Sequence, residues 1–207
     1  MKKALILVGV LALALGISYL VLHKSNSGNN KTEEKDPALL VNSKTLAFNR
    51  SFENVLNNYF NLMDAFLADD TTLISKAAQK LAIAVDSIRF DQFRADSSLL
   101  LTAISVAQSI PPEIQGLNGE KTMEQKKREF NMITQDLYSL ILTVKYDGSI
   151  IYHMSCASAF ADSTAGDWLS RTNTIVNPYL GKKNPNVKSG TSDCGEIKDS
   201  LHFRTGE

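Results

Sequence analysis

The feature that most constrains this fold is a helical spacing of apolar residues that repeats four times between residues 51 and 146. In each repeat the apolar side chains recur at steps of three and four, which places them on one face of an α-helix. The four stretches are 51–70, 71–88, 96–112 and 121–146. Amphipathic helices joined by short connections pack as antiparallel neighbours, so the spacing predicts a mainly α protein built on an antiparallel four-helix bundle.

Capping residues and prolines mark the predicted helix ends. Asp70 precedes the second stretch, Asp96 begins the third, and Thr122 opens a capping box at the start of the fourth. Pro111 and Pro112 predict the end of the third stretch, because proline cannot donate a backbone hydrogen bond. The residues that we expect to be buried together in the core are Phe52, Tyr59, Phe66, Leu81, Val85, Phe130, Leu137 and Ile141.

The charge balance limits the classes of partner. Lysine plus arginine number 22, as do aspartate plus glutamate, so the formal net charge is zero. Nucleic-acid binding needs a basic excess on some face of the protein. The composition therefore argues against nucleic acid as the main partner.

The N-terminus carries the pattern of a membrane segment. Two lysines, Lys2 and Lys3, precede an apolar run over residues 4–22. A helix over that run spans about 28 Å, close to the hydrocarbon thickness of a bilayer, and the lysines favour a cytoplasmic N-terminus. A cleaved signal peptide is the alternative, although no small-residue cleavage site follows the run.

These patterns predict three parts of the chain. Residues 1–23 form a transmembrane anchor or signal peptide, residues 24–46 a flexible linker, and residues 47–207 the helical-bundle domain with its C-terminal cap. We therefore predict that the protein crosses the inner membrane once and that its soluble domain lies in the periplasm.

The helical spacing ends after Tyr146. Asp147 and Gly148 favour a turn, and the following "SIIYHMSC" predicts a short β segment. The remaining residues are rich in Gly, Ser, Asn and Thr, so we expect a loop-rich, Cys-containing C-terminal cap on the bundle.

Both cysteines of the chain, Cys156 and Cys194, lie in this cap, and His153 and Met154 stand just before the first. Outside the cytoplasm a pair of cysteines is first interpreted as a disulfide. An imidazole, a thioether and two thiols also form a metal-ligand set, and soft sulfur ligands favour Cu(I). Spacing leaves both hypotheses open. Each requires the Cα atoms of the two cysteines to lie within about 7 Å of each other.

A cysteine and a histidine could also act as a nucleophile and its base. The sequence shows neither a third orienting group nor donors for an oxyanion hole. We therefore predict no catalytic residues and no enzyme activity.

Four motifs in the last third of the chain carry a family resemblance. They are "YHMSCASAF" at 152–160, "AGDWLS" at 165–170, "IVNPYLG" at 175–181 and "DCGEIKDSL" at 193–201. In this order they resemble a bacterial family of exported domains of unknown function. That family is also found appended to periplasmic adaptor subunits of copper and silver efflux systems.

The resemblance implies an exported, metal-associated accessory or binding module, which binds Cu(I) or Ag(I) or docks to an efflux adaptor or another envelope protein. Its Cys-Pro-Met motif reads Cys156-Ala157-Ser158 here, and the methionine that precedes its second cysteine is absent. Two soft ligands of the pattern are therefore missing. The alternative is a disulfide-stapled structural or protein-interaction domain without metal. The residues that match the packing residues of the family pattern are Trp168, Asn177, Pro178, Tyr179 and Gly181.

Overall fold

A computed structural model describes residues 43–180 and 194–203. The predicted membrane segment over residues 4–22 and most of the predicted linker lie outside these residues. Within the described ranges, no helix combines the length and the apolar character that crossing a membrane requires.

Four α-helices form the larger part of the described structure. Each helix packs against the next one along the chain, and together they bury one continuous apolar core. The predicted helical bundle is therefore confirmed. The helices are α1 (Leu46–Ala68), α2 (Thr71–Asp86), α3 (Ser97–Gly119) and α4 (Met123–Val144).

Helices α2, α3 and α4 begin at side-chain caps that the sequence predicted. The Asp70 carboxylate accepts a hydrogen bond from the Thr72 amide at 2.9 Å, and Asp96 caps α3 in the same way. At the start of α4, Thr122 Oγ1 accepts from the Gln125 amide at 3.2 Å and donates to Gln125 Oε1 at 2.7 Å. Each cap satisfies a helix donor that has no partner within the helix.

The predicted end of the third helix at its prolines is wrong. Pro111 and Pro112 lie inside α3, which continues beyond them. Each proline removes one donor from the helix, but its fixed φ angle is compatible with helical backbone. Ile110, Ile114 and Leu117 are all buried. Continuing the helix past the prolines places Ile114 and Leu117 in the core, and that burial offsets the lost hydrogen bonds.

The folded part begins slightly before residue 47. Strand β1 (Ser43–Lys44) pairs antiparallel with β2 (Phe93–Arg94), which follows a 3₁₀ helix at Phe90–Gln92. Lys44 Nζ donates to the carbonyl of Val144 at 3.3 Å at the end of α4 and lies 3.3 Å from the Asp147 carboxylate. The last residues of the predicted linker therefore already belong to the bundle.

The C-terminal region is a three-stranded antiparallel sheet with the strand order β4-β3-β5. The predicted β segment is confirmed as β3, whereas the other two strands occupy residues that we expected to be loops. The strands are β3 (Ile151–Cys156), β4 (Gly166–Ser170) and β5 (Glu196–Leu201).

The core extends from the helices into the sheet. All eight residues that the helical spacing placed in the core are buried. At its centre, the Phe130 ring lies 4.7 Å from the Phe66 ring, 5.5 Å from Tyr59 and 5.9 Å from Tyr179, measured between centroids. Trp168 of β4 is also fully buried. The sheet and the bundle therefore share one hydrophobic core.

Candidate functional site

The predicted site residues all lie on or beside the sheet, and the structure joins two of them covalently. Cys156 ends β3 and Cys194 stands shortly before β5, and their sulfurs form a disulfide with the Cα atoms 5.2 Å apart. The predicted proximity of the two cysteines is confirmed. The bond fastens the start of β5 to the end of the central strand.

Asn177 holds the same point of the chain by hydrogen bonds. Its side-chain amide donates to the Cys194 carbonyl at 3.0 Å, and its side-chain oxygen accepts from the Tyr179 amide at 2.8 Å. The Tyr179 hydroxyl in turn donates to the Asp167 carbonyl of β4. The motif that contains Asn177 therefore links β4 to the backbone at the disulfide.

Gly195 allows this region to pack closely. A Cβ atom at Gly195 would lie 2.4 Å from Ile175 Cγ2 and 3.0 Å from the Trp168 ring. Atoms that are not bonded to each other do not approach so closely, so residue 195 needs to be glycine for the chain beside Cys194 to reach the buried tryptophan.

Met154 and His153 have different environments. Met154 is fully buried and pairs with Trp168 across β3 and β4. The pairing of β3 with β5 shifts between His153 and Met154. The His153 ring lies 4.3 Å from that of Tyr138, and its Nε2 is 3.8 Å from Asp167 Oδ2. The methionine therefore belongs to the core, while the histidine belongs to a polar cluster between the sheet and α4.

That cluster is charged and hydrogen-bonded. The Tyr138 hydroxyl donates to Asp199 Oδ2 of β5 at 3.2 Å. The pKa of Asp167 is lowered chiefly because the neighbouring His153 imidazole favours the charged carboxylate, although partial burial opposes this effect. Partial burial and, to a smaller extent, the nearby Asp199 raise the pKa of Tyr138. These contacts tie α4 to β3, β4 and β5.

The arrangement of these side chains bears on whether the site can hold a metal ion. In the part of the chain that the structure describes, no group of three or more His, Cys, Asp or Glu side chains is arranged to hold a metal ion. Both cysteine sulfurs of the predicted ligand set are used in one covalent bond. Cu(I) binds cysteine as thiolate, so a site at Cys156 and Cys194 would require the bond to be reduced first.

Tyr59 joins two helices to the sheet and was not among the predicted site residues. Its hydroxyl accepts a hydrogen bond from the Leu169 amide of β4 at 3.0 Å. It also lies 2.8 Å from Thr134 Oγ1, which donates to the Phe130 carbonyl. Tyr59 therefore donates to Thr134, and burial raises its pKa. Its place in an apolar stripe predicted that it is buried, but not which groups its hydroxyl would bind.

Replacing Tyr59 with phenylalanine removes the hydrogen bonds of its hydroxyl to the Leu169 amide and to Thr134. The buried Leu169 amide would lose its acceptor, so the free energy of unfolding should fall by about 1–3 kcal/mol. Urea denaturation measures the change. Tyr152→Phe is a matched control, because the Tyr152 hydroxyl makes no hydrogen bond to the described residues. Equal losses in the two variants would show that the Tyr59 hydroxyl is not needed.

The comparisons with known proteins concern the bundle. A family model described as "Protein of unknown function (DUF3347)" matches residues 55–147, from within α1 to just beyond the end of α4. The matched span ends before the three-stranded sheet begins, and the description names no activity. No curated protein and no solved structure matches the chain. The chain is thus similar, through its four-helix region, to a domain family whose description gives its function as unknown.

Proposed function

We propose that the chain is an exported, membrane-anchored binding module that docks through its disulfide-held sheet to another envelope protein. The observation that carries this proposal is the Cys156–Cys194 bond, because such bonds persist in oxidising compartments outside the cytoplasm. In this proposal residues 4–22 cross the inner membrane once. The folded part lies in the periplasm, at the end of a tether that starts near residue 24.

Strand β5 is the docking element of this proposal. It lies at one edge of the sheet, and among the described residues no strand pairs with its outer edge. Residues 196–200 are exposed, including Ile197 with 43% of its surface accessible. An exposed edge of this kind can accept a strand from a partner through backbone hydrogen bonds. The disulfide beside β5 keeps that edge in place.

The partner that we propose is the adaptor subunit of a copper or silver efflux system. The motifs around both cysteines support this choice, since they resemble those of domains found appended to such adaptors. The role is binding rather than catalysis. Asn177, Tyr179 and Asp167 are engaged in contacts that hold β4 to α4 and to the chain around the disulfide.

Site-specific photocrosslinking in the intact envelope tests the docking proposal. A photoreactive residue at position 197 should crosslink to the adaptor subunit, identified by mass spectrometry. The crosslink should disappear in the Cys156→Ala/Cys194→Ala variant. Position 83 on α2 is the matched control, because Ile83 is also exposed but lies away from the sheet. Equal crosslinking from both positions, or none from position 197, would contradict the proposal.

The second candidate is Cu(I) or Ag(I) binding by the reduced protein. It is favoured by the 5.2 Å separation of the cysteine Cα atoms, since reduction would leave two cysteine thiols close together, with Met154 two residues before Cys156 on β3. Soft sulfur ligands select these ions. Cys156 and Cys194 would be the principal ligands, and His153 and Met154 the additional ones.

Competition with a Cu(I) chelator under anaerobic, reducing conditions tests this second candidate. Reduced wild-type protein should take up Cu(I), Cys156→Ser should abolish uptake, and His153→Ala or Met154→Ala should weaken it. Oxidised protein should take up none. Equal uptake by wild type and Cys156→Ser would exclude a site at the cysteines.

A further inference from the structure

We propose that a lysine-lined cleft in the bundle binds a phosphate group. The cleft has a volume of about 500 Å³ and lies between the first turns of α2 and the start of α4. None of the described residues that line it is acidic. The side chains that the argument uses are the ammonium groups of Lys76, Lys121 and Lys126 and the hydroxyls of Thr71, Thr72 and Ser75.

Lys126 is the strongest reason to expect an anion in this cleft. Only 6% of its surface is accessible. Its Nζ donates to the Leu117 carbonyl at 2.7 Å, and among the described residues no carboxylate forms an ion pair with it. A buried charge is costly unless an opposite charge compensates it. One carbonyl at the end of α3 compensates only part of this charge.

The position of Lys126 in its helix increases the need for an anion. It lies in the first turns of α4, which begins at Met123. The partial positive charge of a helix N-terminus disfavours a lysine there. A bound anion would be attracted both by the helix terminus and by the buried ammonium group.

The lining favours phosphate over carboxylate. Carboxylates are recognised best by the two-pronged guanidinium of arginine, and no arginine lines this cleft. Lysine binds phosphate as a point charge, and hydroxyls donate to the remaining phosphate oxygens. The N-terminus of α2 is not the basis of the site, because Asp70 already accepts from its Thr72 and Leu73 amides.

The cleft is independent of the proposed docking function. Its lining residues belong to the helical region, so loss of phosphate binding would not bear on docking through β5. Two sources of the phosphate group have the same chemistry: a soluble phosphate and the headgroup of a phospholipid. They are distinguished by the probes below.

Isothermal titration of the full-length chain in detergent micelles tests the proposal, in chloride buffer without sulfate. Inorganic phosphate should bind saturably and raise the unfolding temperature. Lys126→Met should weaken binding about ten-fold or more. Lys76→Met, at the exposed rim, should weaken it with the fold intact. Lys80→Met is the matched control on α2, because Lys80 is exposed and does not line the cleft.

Short-chain phosphatidic acid and the corresponding diacylglycerol, which lacks the phosphate, identify the source. Phosphatidic acid binding more tightly than inorganic phosphate would identify a lipid headgroup, and equal affinities would identify a soluble phosphate. The proposal fails if wild-type protein binds neither phosphate probe. It also fails if Lys126→Met and Lys76→Met bind phosphate as well as Lys80→Met does.

Discussion

Reduction of the Cys156–Cys194 bond is expected to lower the free energy of unfolding by about 4 kcal/mol. The two cysteines are 38 residues apart, and a bond that closes a loop of this size restricts the unfolded chain strongly. The closed loop contains β4 and the segment around Asn177. Urea denaturation with and without a phosphine reductant measures the difference.

The double variant Cys156→Ala/Cys194→Ala is the control for this prediction. Its stability should be close to that of the reduced wild type, and the reductant should leave it unchanged. If the reductant shifts the unfolding midpoint of the wild type no more than that of the double variant, the bond does not hold the folded state.

Phe130→Ala is expected to lower the free energy of unfolding by about 3–5 kcal/mol. The side chain is fully buried, and its ring contacts those of Tyr59, Phe66 and Tyr179. Truncation would leave a cavity at the place where α1, α4 and the segment after β4 meet. It would also remove three aromatic contacts, each of which contributes beyond the area that it buries.

Leu142→Ala provides the control on the same helix, because 37% of the Leu142 surface is accessible. A substitution at such a surface position usually changes stability by only about 0.5 kcal/mol. In thermal and urea unfolding, Phe130→Ala should therefore lose much more stability than Leu142→Ala. Similar losses in both would show that the assigned buried face of α4 is wrong.

The bundle could be predicted from the sequence because helix signals are local. The spacing of Phe52, Tyr59 and Phe66 defines one face of α1 without reference to any other segment. The caps at Asp70 and Asp96 act within three residues, so their residue types indicate the helix starts directly. Each of these features depends only on its immediate neighbours in the chain.

The prolines of α3 misled the prediction because a distant part of the structure decided the outcome. Proline costs a helix about one hydrogen bond and disfavours helical backbone before it. The burial of Ile114 and Leu117 by the rest of the bundle outweighs that cost. Sequence alone shows the local cost but not the partner surface.

The sheet was hard to predict for a related reason. Strand β4 has five residues, and it is stabilised by pairing with β3 and by the Tyr59 hydroxyl of α1. Strand β5 is exposed over residues 196–200, so it lacks the alternation that a half-buried strand shows. Its place is set by pairing and by the disulfide rather than by its own composition.

The candidate site was predictable in its residues but not in its chemistry. The types and spacing of His153, Met154, Cys156 and Cys194 fit both a metal site and a disulfide. The two hypotheses differ in whether the cysteine sulfurs bond to each other or to a shared metal ion, and in which groups surround His153. Those groups, Tyr138 and Asp167, come from α4 and β4, and no sequence spacing connects them to the histidine.

The central claim is that the sheet is held by a disulfide in the compartment where the protein acts. Its most direct test is a count of alkylated cysteines by mass spectrometry, on full-length protein from an acid-quenched cell envelope. We expect Cys156 and Cys194 to be unmodified by maleimide before reduction and both modified after it. Modification of both cysteines before reduction would contradict the claim.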